Sequence, residues 1–364
     1  IQEISGRIGR VTGHGIAGNL KRHSSPWLLR SMVALLLLAN VINVGADLGG
    51  MADALRLLIG GSGGLYVLLF AVGCAALEIF SRYDRYVAIL KWSTLSLFAY
   101  VATVLVVKVP WIEVLHRAIV PSVTPGKAYL VSLVAVLGTT ISPYLFFWQS
   151  SEEAEDERIA PDEHPLVDDP AEAPRELRRI RVDTYVGMAF SNLISLFIII
   201  TTAATLNAHG ITDVQTSAQA AEALRPVAGR FAFAVFALGI IGTGLLAVPV
   251  LTGSSAYAVG EALGWPTGLG RLPRDAKAFY GTVAVATLIG VAINFTDIDP
   301  IKALFYSAVL NGVVAVPLMI VMMMMAMNPA VMGRFTLPRP LQILGWISTS
   351  VMAVTAITMI VTAM

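Results

Sequence analysis

Charge is scarce in this chain of 364 residues: Asp, Glu, Lys and Arg together make up 13%, against about 25% in soluble domains. Cysteine is nearly missing, and Cys74, the single one, lies in an apolar run, which excludes a disulfide framework and a thiolate metal cluster. No CxxC, HExxH or P-loop occurs, so an ATP-driven pump has no motif to rest on. The formal net charge of +1 gives no electrostatic footprint for nucleic acid. What the chain has instead is apolar surface, with 56% hydrophobic residues and a mean hydropathy of +0.73. That composition is an integral membrane protein's.

Residues 1–26, IQEISGRIGRVTGHGIAGNLKRHSSP, are polar and basic and lack the apolar core of a signal peptide. They read as the cytoplasmic end of one helix followed by a loop, and the expectation is that the sequence begins partway through a longer protein. Spanning a bilayer takes about 20 mostly apolar residues. Nine segments qualify, at 27–47, 64–80, 86–108, 127–149, 183–206, 229–262, 277–295, 301–327 and 340–363, so residues 27–364 form one transmembrane domain. Of the lysines and arginines between these spans, 18 fall on one side and 7 on the other. The positive-inside rule makes the first side cytoplasmic, with residues 1–26 inside and the C-terminus outside. The longest cytoplasmic loop, 152–182, runs from EEAEDE through four prolines to RELRRIR. Its composition is that of a solvated, partly disordered connector; the alternative is a cation-attracting vestibule.

The most informative stretch is LGTTISPYLFFWQSS, 137–151. Pro143 has no N–H to donate and its ring clashes with the carbonyl four residues back, so the helix must break or kink near Thr139. Broken backbone at membrane depth is tolerated where it lines a cavity or is buried in protein, and secondary transporters place their substrate at such breaks. A simple proline kink between packed helices is the competing reading. Gly138 and Pro143 are the residues that hold the break.

Ionisable groups inside a bilayer are costly and usually functional. Asn40, Asn43 and Asp47 recur at spacings of three and four and share a helix face. Asp47 is read as part of an ion or proton pathway, with inter-helix bonding as the alternative for the asparagines. Glu78 is expected to pair with Arg82 in a structural role. Asn311 is either a packing contact or a ligand. The run Met322 to Met325 covers every face of its helix and is apolar filler, since a thioether site needs convergence on one point. No nucleophile and base are paired in the spans, so no enzyme and no resident cofactor is expected.

GTTISPYLFFWQSS, preceded by PSVTPGKAYLVSLVAVL, resembles the sixth helix of the natural resistance-associated macrophage protein family of divalent-metal transporters, where the pattern is Gly-Ala-Thr-Val-Met-Pro-His-Asn. In order along the chain, GRIGRVTGHGIAGNLKR resembles the end of that family's second helix, NVGADLGGMADAL its third, LNAHGITDVQTSAQAAEAL its outer loop between helices seven and eight, and NPAVMGRF with LQILGW the start of its eleventh. The resemblance covers nearly the whole chain with degenerate motifs. It implies an all-α membrane protein of the leucine-transporter type, with two inverted five-helix repeats and helices three to eleven of eleven present here. It further implies a multi-pass protein of a bacterial cytoplasmic membrane whose partners are a divalent cation, the lipid bilayer and protons.

The departures from the family pattern shape the expected site. The family's first helix supplies Asp and Asn ligands, and no counterpart is contained in this sequence. In the sixth helix the alanine that offers a carbonyl corresponds to Thr139, the methionine to Ser142 and the histidine to Tyr144; a second histidine corresponds to Gln149. A hydroxyl is a hard oxygen donor where a thioether is soft, and an all-oxygen, partly hydrated site suits Mg²⁺. In this respect the likeness is closer to the family's magnesium branch. Gly50 stands where the family's third helix has a glutamate, which leaves Asp47 as the surviving member of its proton route. The expected site is thus the Thr139 carbonyl and Ser142 as cation ligands, as the resemblance implies, with Asn311 as a further ligand, Asp47 for coupling, and Asn40, Asn43, Tyr144 and Gln149 lining the path. An organic-solute symporter of the same fold and a non-transporting scaffold remain the alternatives; the identity of the cation (Mg or Mn type) and the presence of coupling stay open.

Overall fold

The computed structural model describes residues 1–80, 94–120, 126–160, 164–214, 216–296 and 298–363. Among them there is no strand, and the long elements are helices: α1 (Gln2–Thr12), α2 (Ile16–His23), α3 (Pro26–Ile59), α4 (Gly63–Phe80), α5 (Phe98–Val106), α6 (Trp111–Ile119), α7 (Lys127–Thr140), α8 (Pro143–Ile159), α9 (Ala173–Thr205), α10 (Ala232–Leu263), α11 (Lys277–Ile293), α12 (Pro300–Ala326) and α13 (Arg339–Ala363). Seven helical segments among the described residues are long and apolar enough to cross a membrane, and α11 is an apolar helix of 17 residues. Each of the nine expected spans falls on one or more of these helices. The first part of the expected 86–108 span lies outside the described residues, and its remainder, α5, is followed by α6 at a bend of 119°.

The centre of the molecule is α3, packed by α10, α11 and α12. Pro26 at its first turn and the Ser25 hydroxyl, which accepts from the Leu28 N–H at 3.3 Å, start it. Its 34 residues make a rod of about 50 Å at 1.5 Å per residue, longer than the hydrocarbon core, so it must tilt to span. Small residues bring its neighbours to backbone contact. A Cβ on Gly45 would stand 3.1 Å from the Gly290 carbonyl, and Asn294 Nδ2 donates to the Gly45 carbonyl at 2.8 Å. Without a hydrophobic force between helices in lipid, such close approaches and inter-helix hydrogen bonds supply the association.

Residues 1–26 differ from the expected helix end and loop. They form two helices sunk into the protein, with Ile4, Ile8, Val11, Ile16, Ala17 and Leu20 buried. The polar residues that read as solvent-facing are paired internally: Arg7 and Arg181 both reach Glu3, at 2.9 and 3.3 Å, and Arg10 lies 3.6 Å from Glu176. Gly9 lets α1 press onto α8.

The loop expected at 152–182 is also shorter than its composition implied. Helix α8 runs on through the acidic run to Ile159, and α9 begins at Ala173. Glu153, Glu155 and Glu157 are buried rather than solvated. Glu153 pairs with Arg179, and Glu155 accepts from the Tyr257 hydroxyl and from the Leu269 and Gly270 N–H groups, the last two at 3.2 and 2.7 Å. Partners distant in sequence, invisible to a composition reading, convert this acidic run into helix-packing contacts.

Two outcomes follow for the α1–α2 end. A Cβ on Gly9 would collide with the Ser150 carbonyl oxygen, whereas one on Gly73 meets nothing within 4 Å. Gly9→Ala should therefore lower the melting temperature in detergent, at a cost of about 1–3 kcal/mol, while Gly73→Ala leaves it near the wild-type value. The second concerns His14 between α1 and α2, whose Nδ1 lies 2.9 Å from the Thr12 carbonyl. Burial, and then the Arg22 charge, hold its pKa below the ordinary 6.5. The folded state prefers the neutral ring, so the stabilisation is complete above that value and fades as pH falls below it. A melting series between pH 7 and 5 should show a smaller acid-side loss for His14→Gln than for the wild type.

Candidate functional site

The helix that Pro143 interrupts is split. Helix α7 ends at Thr140, Ile141 (φ −120°, ψ 71°) and Ser142 (φ −88°, ψ 124°) leave helical geometry, and α8 starts at Pro143. The last regular bond of α7 runs from the Ile141 N–H to the Leu137 carbonyl at 2.8 Å. Beyond it the Thr139 carbonyl faces a proline where its helical donor would stand. The hydroxyl of Ser142 takes over, 3.0 Å from the Gly138 carbonyl and 3.1 Å from that of Thr139. One hydroxyl proton serves one acceptor at a time, so a lone pair on the Ser142 oxygen and at least one carbonyl stay open to a cation. A cavity of about 420 Å³ borders the break, lined by Thr140, Ile141 and Phe146 together with Thr184, Asn192 and Ser348.

Two crossings hold the halves of the break. Gly138 is helical and sits so closely against α12 that a Cβ would collide with the Ala308 carbonyl; Gly312 reciprocates against Val134. What demands glycine at 138 is this crossing. On the other side, the Tyr144 carbonyl accepts from Ser254 Oγ of α10 at 3.0 Å. Tyr144 also lies within electrostatic range of Asp47 on α3. Asp47 is half-buried, and no hydrogen bond or ion pair among the described residues holds it.

Asn311, one residue from the Gly138–Gly312 crossing, forms a reciprocal pair with Asn43. Each side-chain amide donates to the other's oxygen, at 2.9 and 3.1 Å. Asn43 also donates to the Ala39 carbonyl at 2.7 Å. The structure thus brings Gly138, Thr139, Ser142, Pro143 and Tyr144 together, with Asp47 in electrostatic range of Tyr144 and the Asn43–Asn311 pair across the crossing. Two of the expected path-lining residues go elsewhere. Asn40 bonds the Leu251 carbonyl and Ser255 Oγ on α10, both at 3.0 Å, and Gln149 is wedged between Gly6 and Thr184, 3.3 Å from the latter's hydroxyl. Among the described residues no three His, Cys, Asp or Glu side chains converge as a metal cluster.

Sequence reasoning missed the buried carboxylate Glu261 and the Thr252 partner of Glu78. Glu261 caps α2 from α10, accepting from the Gly15 and Gly18 N–H groups at 3.2 and 2.8 Å and from Ser151 Oγ at 3.0 Å. Glu78 accepts from Thr252 Oγ1 at 2.7 Å; its expected partner Arg82 lies outside the described residues. Nothing local in the sequence signals either partner, each more than a hundred residues away.

A model of natural resistance-associated macrophage protein-like chains matches residues 1–362. The chain is 24% identical to the divalent metal cation transporter MntH of Caldanaerobacter subterraneus subsp. tengcongensis, over 72% of this chain and 61% of that protein. It is likewise 24% identical to MntH of Burkholderia ambifaria, over 96% of this chain and 76% of that one. The sequence thus spans about three-fifths of the length of the first relative. Its fold matches crystal structures of two single-residue mutants of the Eremococcus coleocola manganese transporter, each with a TM-score of 0.74 and 17% identity, over 98% of this chain and 76% of theirs. The fold is therefore that of a leucine-transporter-type helical membrane protein, as the resemblance implied.

The asparagine pair yields a thermodynamic test. Removing one partner leaves a buried amide unsatisfied, at a cost of about 1–3 kcal/mol. Asn43→Leu and Asn311→Leu should each lower the melting temperature, and the double variant should lose clearly less than the two losses added.

Proposed function

This chain belongs to the natural resistance-associated macrophage protein (Nramp) family, and from that premise we propose that it is a secondary transporter of divalent metal cations working by alternating access around the α7–α8 break. The observation that carries the reading is the pair of carbonyls, Gly138 and Thr139, released by Pro143 and held only by the rotatable Ser142 hydroxyl. The C-terminal end of α7 points its partial negative charge at the same place. A cation arriving there accepts the Thr139 carbonyl and the Ser142 oxygen while the hydroxyl proton turns away. Asn311 keeps a second lone pair on its amide oxygen beyond the bond to Asn43 and is the third ligand in this reading. All the donors are hard oxygens, which favours Mg²⁺ or Mn²⁺ over softer ions.

Asp47 is assigned to coupling. It is a carboxylate at membrane depth that no lysine or arginine among the described residues pairs with, and it lies in electrostatic range of Tyr144 at the break. A proton that binds there from the side the metal enters, and is released to the other side as the metal binds, moves with the metal, so charge alone couples the two fluxes. The membrane is a bacterial cytoplasmic one in this reading, with the α1–α2 end inside, supported by the lysine and arginine asymmetry of the loops.

The test is uptake into proteoliposomes. Both Mn²⁺ and Mg²⁺ should enter, and Mg²⁺ should compete with Mn²⁺; high-affinity Mn²⁺ uptake indifferent to excess Mg²⁺ contradicts the hard-ligand site. Ser142→Met should reduce Mg²⁺ uptake at least tenfold and admit Cd²⁺. Asp47→Asn should abolish metal-driven acidification of the vesicle lumen, and acidification at the wild-type rate removes Asp47 from the coupling.

A further inference from the structure

Glu78 is a second carboxylate at membrane depth, and its surroundings differ from those of Glu3, Glu153, Glu155, Glu176 and Glu261. Glu3, Glu153 and Glu176 face arginines. Glu155 and Glu261 are filled by hydroxyl and backbone N–H donors. Glu78 is only 8% exposed, and just one of its oxygens is used: Oε2 accepts from Thr252. Oε1 is fully buried and has no hydrogen-bond partner. It is turned toward Gly253, where a Cβ would stand 3.2 Å away, in a space otherwise closed by the Trp148 ring.

Among the described residues, the groups facing it from each packed helix supply no positive charge. Helix α3 brings Asp47, which together with Glu78 acts on Cys74 of α4 itself. Helix α10 brings the Thr252 hydroxyl, α8 brings Trp148, and α11 brings Tyr280, which lies in electrostatic range of both Glu78 and Glu155. No lysine or arginine among the described residues pairs with Glu78. An unpaired carboxylate in such a place is costly in its charged form, and the cost is relieved by a cation or by a proton. A divalent ion needs about six oxygens, and this site offers one carboxylate and one hydroxyl. A proton needs a single lone pair, and Oε1 has it.

We propose that Glu78 is a proton-carrying residue of the transport cycle, taking up and releasing a proton at Oε1, and that it serves with Asp47 as a second carboxylate of the proton route. The inference rests on the transport reading above and adds to it a residue. Protonation consumes one hydron at the open oxygen and breaks no other bond. Thr252 remains a donor to Oε2 in the charged state and so sets how readily the proton leaves.

Proteoliposomes loaded with a pH dye and supplied with external Mn²⁺ report metal and proton entry together. The wild type should acidify as the metal enters. Glu78→Gln keeps the size of the side chain and an oxygen for Thr252, and it should cut the protons entering per metal ion at least tenfold. Thr252→Val removes a bond that favours the charged carboxylate. The pH profile of uptake should therefore keep its shape and move to higher pH, a readout that simple loss of folded protein does not produce. A Glu78→Gln variant with the wild-type proton-to-metal ratio overturns the proposal. Wild-type metal entry without any acidification overturns it too, whereas no metal entry in the wild type instead sinks the transport reading on which it rests.

Discussion

The carbonyl of Thr139 has no N–H waiting for it, and the arrangement around the break answers that single deficit. In water the deficit is trivial, since solvent supplies the hydrogen bond. At membrane depth an unmet carbonyl costs several kcal/mol, roughly, so the surrounding protein has to meet it or line a cavity with it. This chain meets it with a side chain, Ser142, which reaches back to the two carbonyls, and a cavity borders the next two residues, Thr140 and Ile141. The satisfaction is incomplete in chemical terms, because one rotating hydroxyl cannot donate to two acceptors at once.

The packing then has to keep an irregular backbone from collapsing. Gly138 against Ala308 and Gly312 brings α7 to α12 with no side chain between them, and Gly9 does the same for α1 against α8. Side-chain amides add direction where glycine adds proximity: Asn43 to Asn311, Asn40 to Ser255, Asn294 to Gly45. These two kinds of contact suit a bilayer, where apolar area gives helices little preference for each other over lipid.

Much of the fold was legible because apolar length is a local property. The runs at 27–47, 127–149, 229–262 and 301–327 all became helices, and Pro143 marked its break without help from tertiary structure. The pairing of charges was not legible. Arg7, Arg10 and the EEAEDE run looked solvated because their partners, Glu3 excepted, lie far along the chain: Glu176 for Arg10, Arg179 for Glu153, Tyr257 for Glu155. The Thr252 hydroxyl that donates to Glu78 lies likewise far along the chain. For the site itself, the residues of the break could be read directly. The Asn43–Asn311 pair could be read only as two polar residues on two helices, with no sign that each would satisfy the other.

Between α7 and α8 the chain leaves helical geometry for only two residues, Ile141 and Ser142. The upper segment is locked to α12 through the Gly138–Gly312 crossing, and the lower one to α1 through Gly9 and to α10 through Ser254. Any rearrangement that swings one segment against the other must therefore drag a whole partner helix with it. The hinge is two peptides long, but the bodies on either side are bundles.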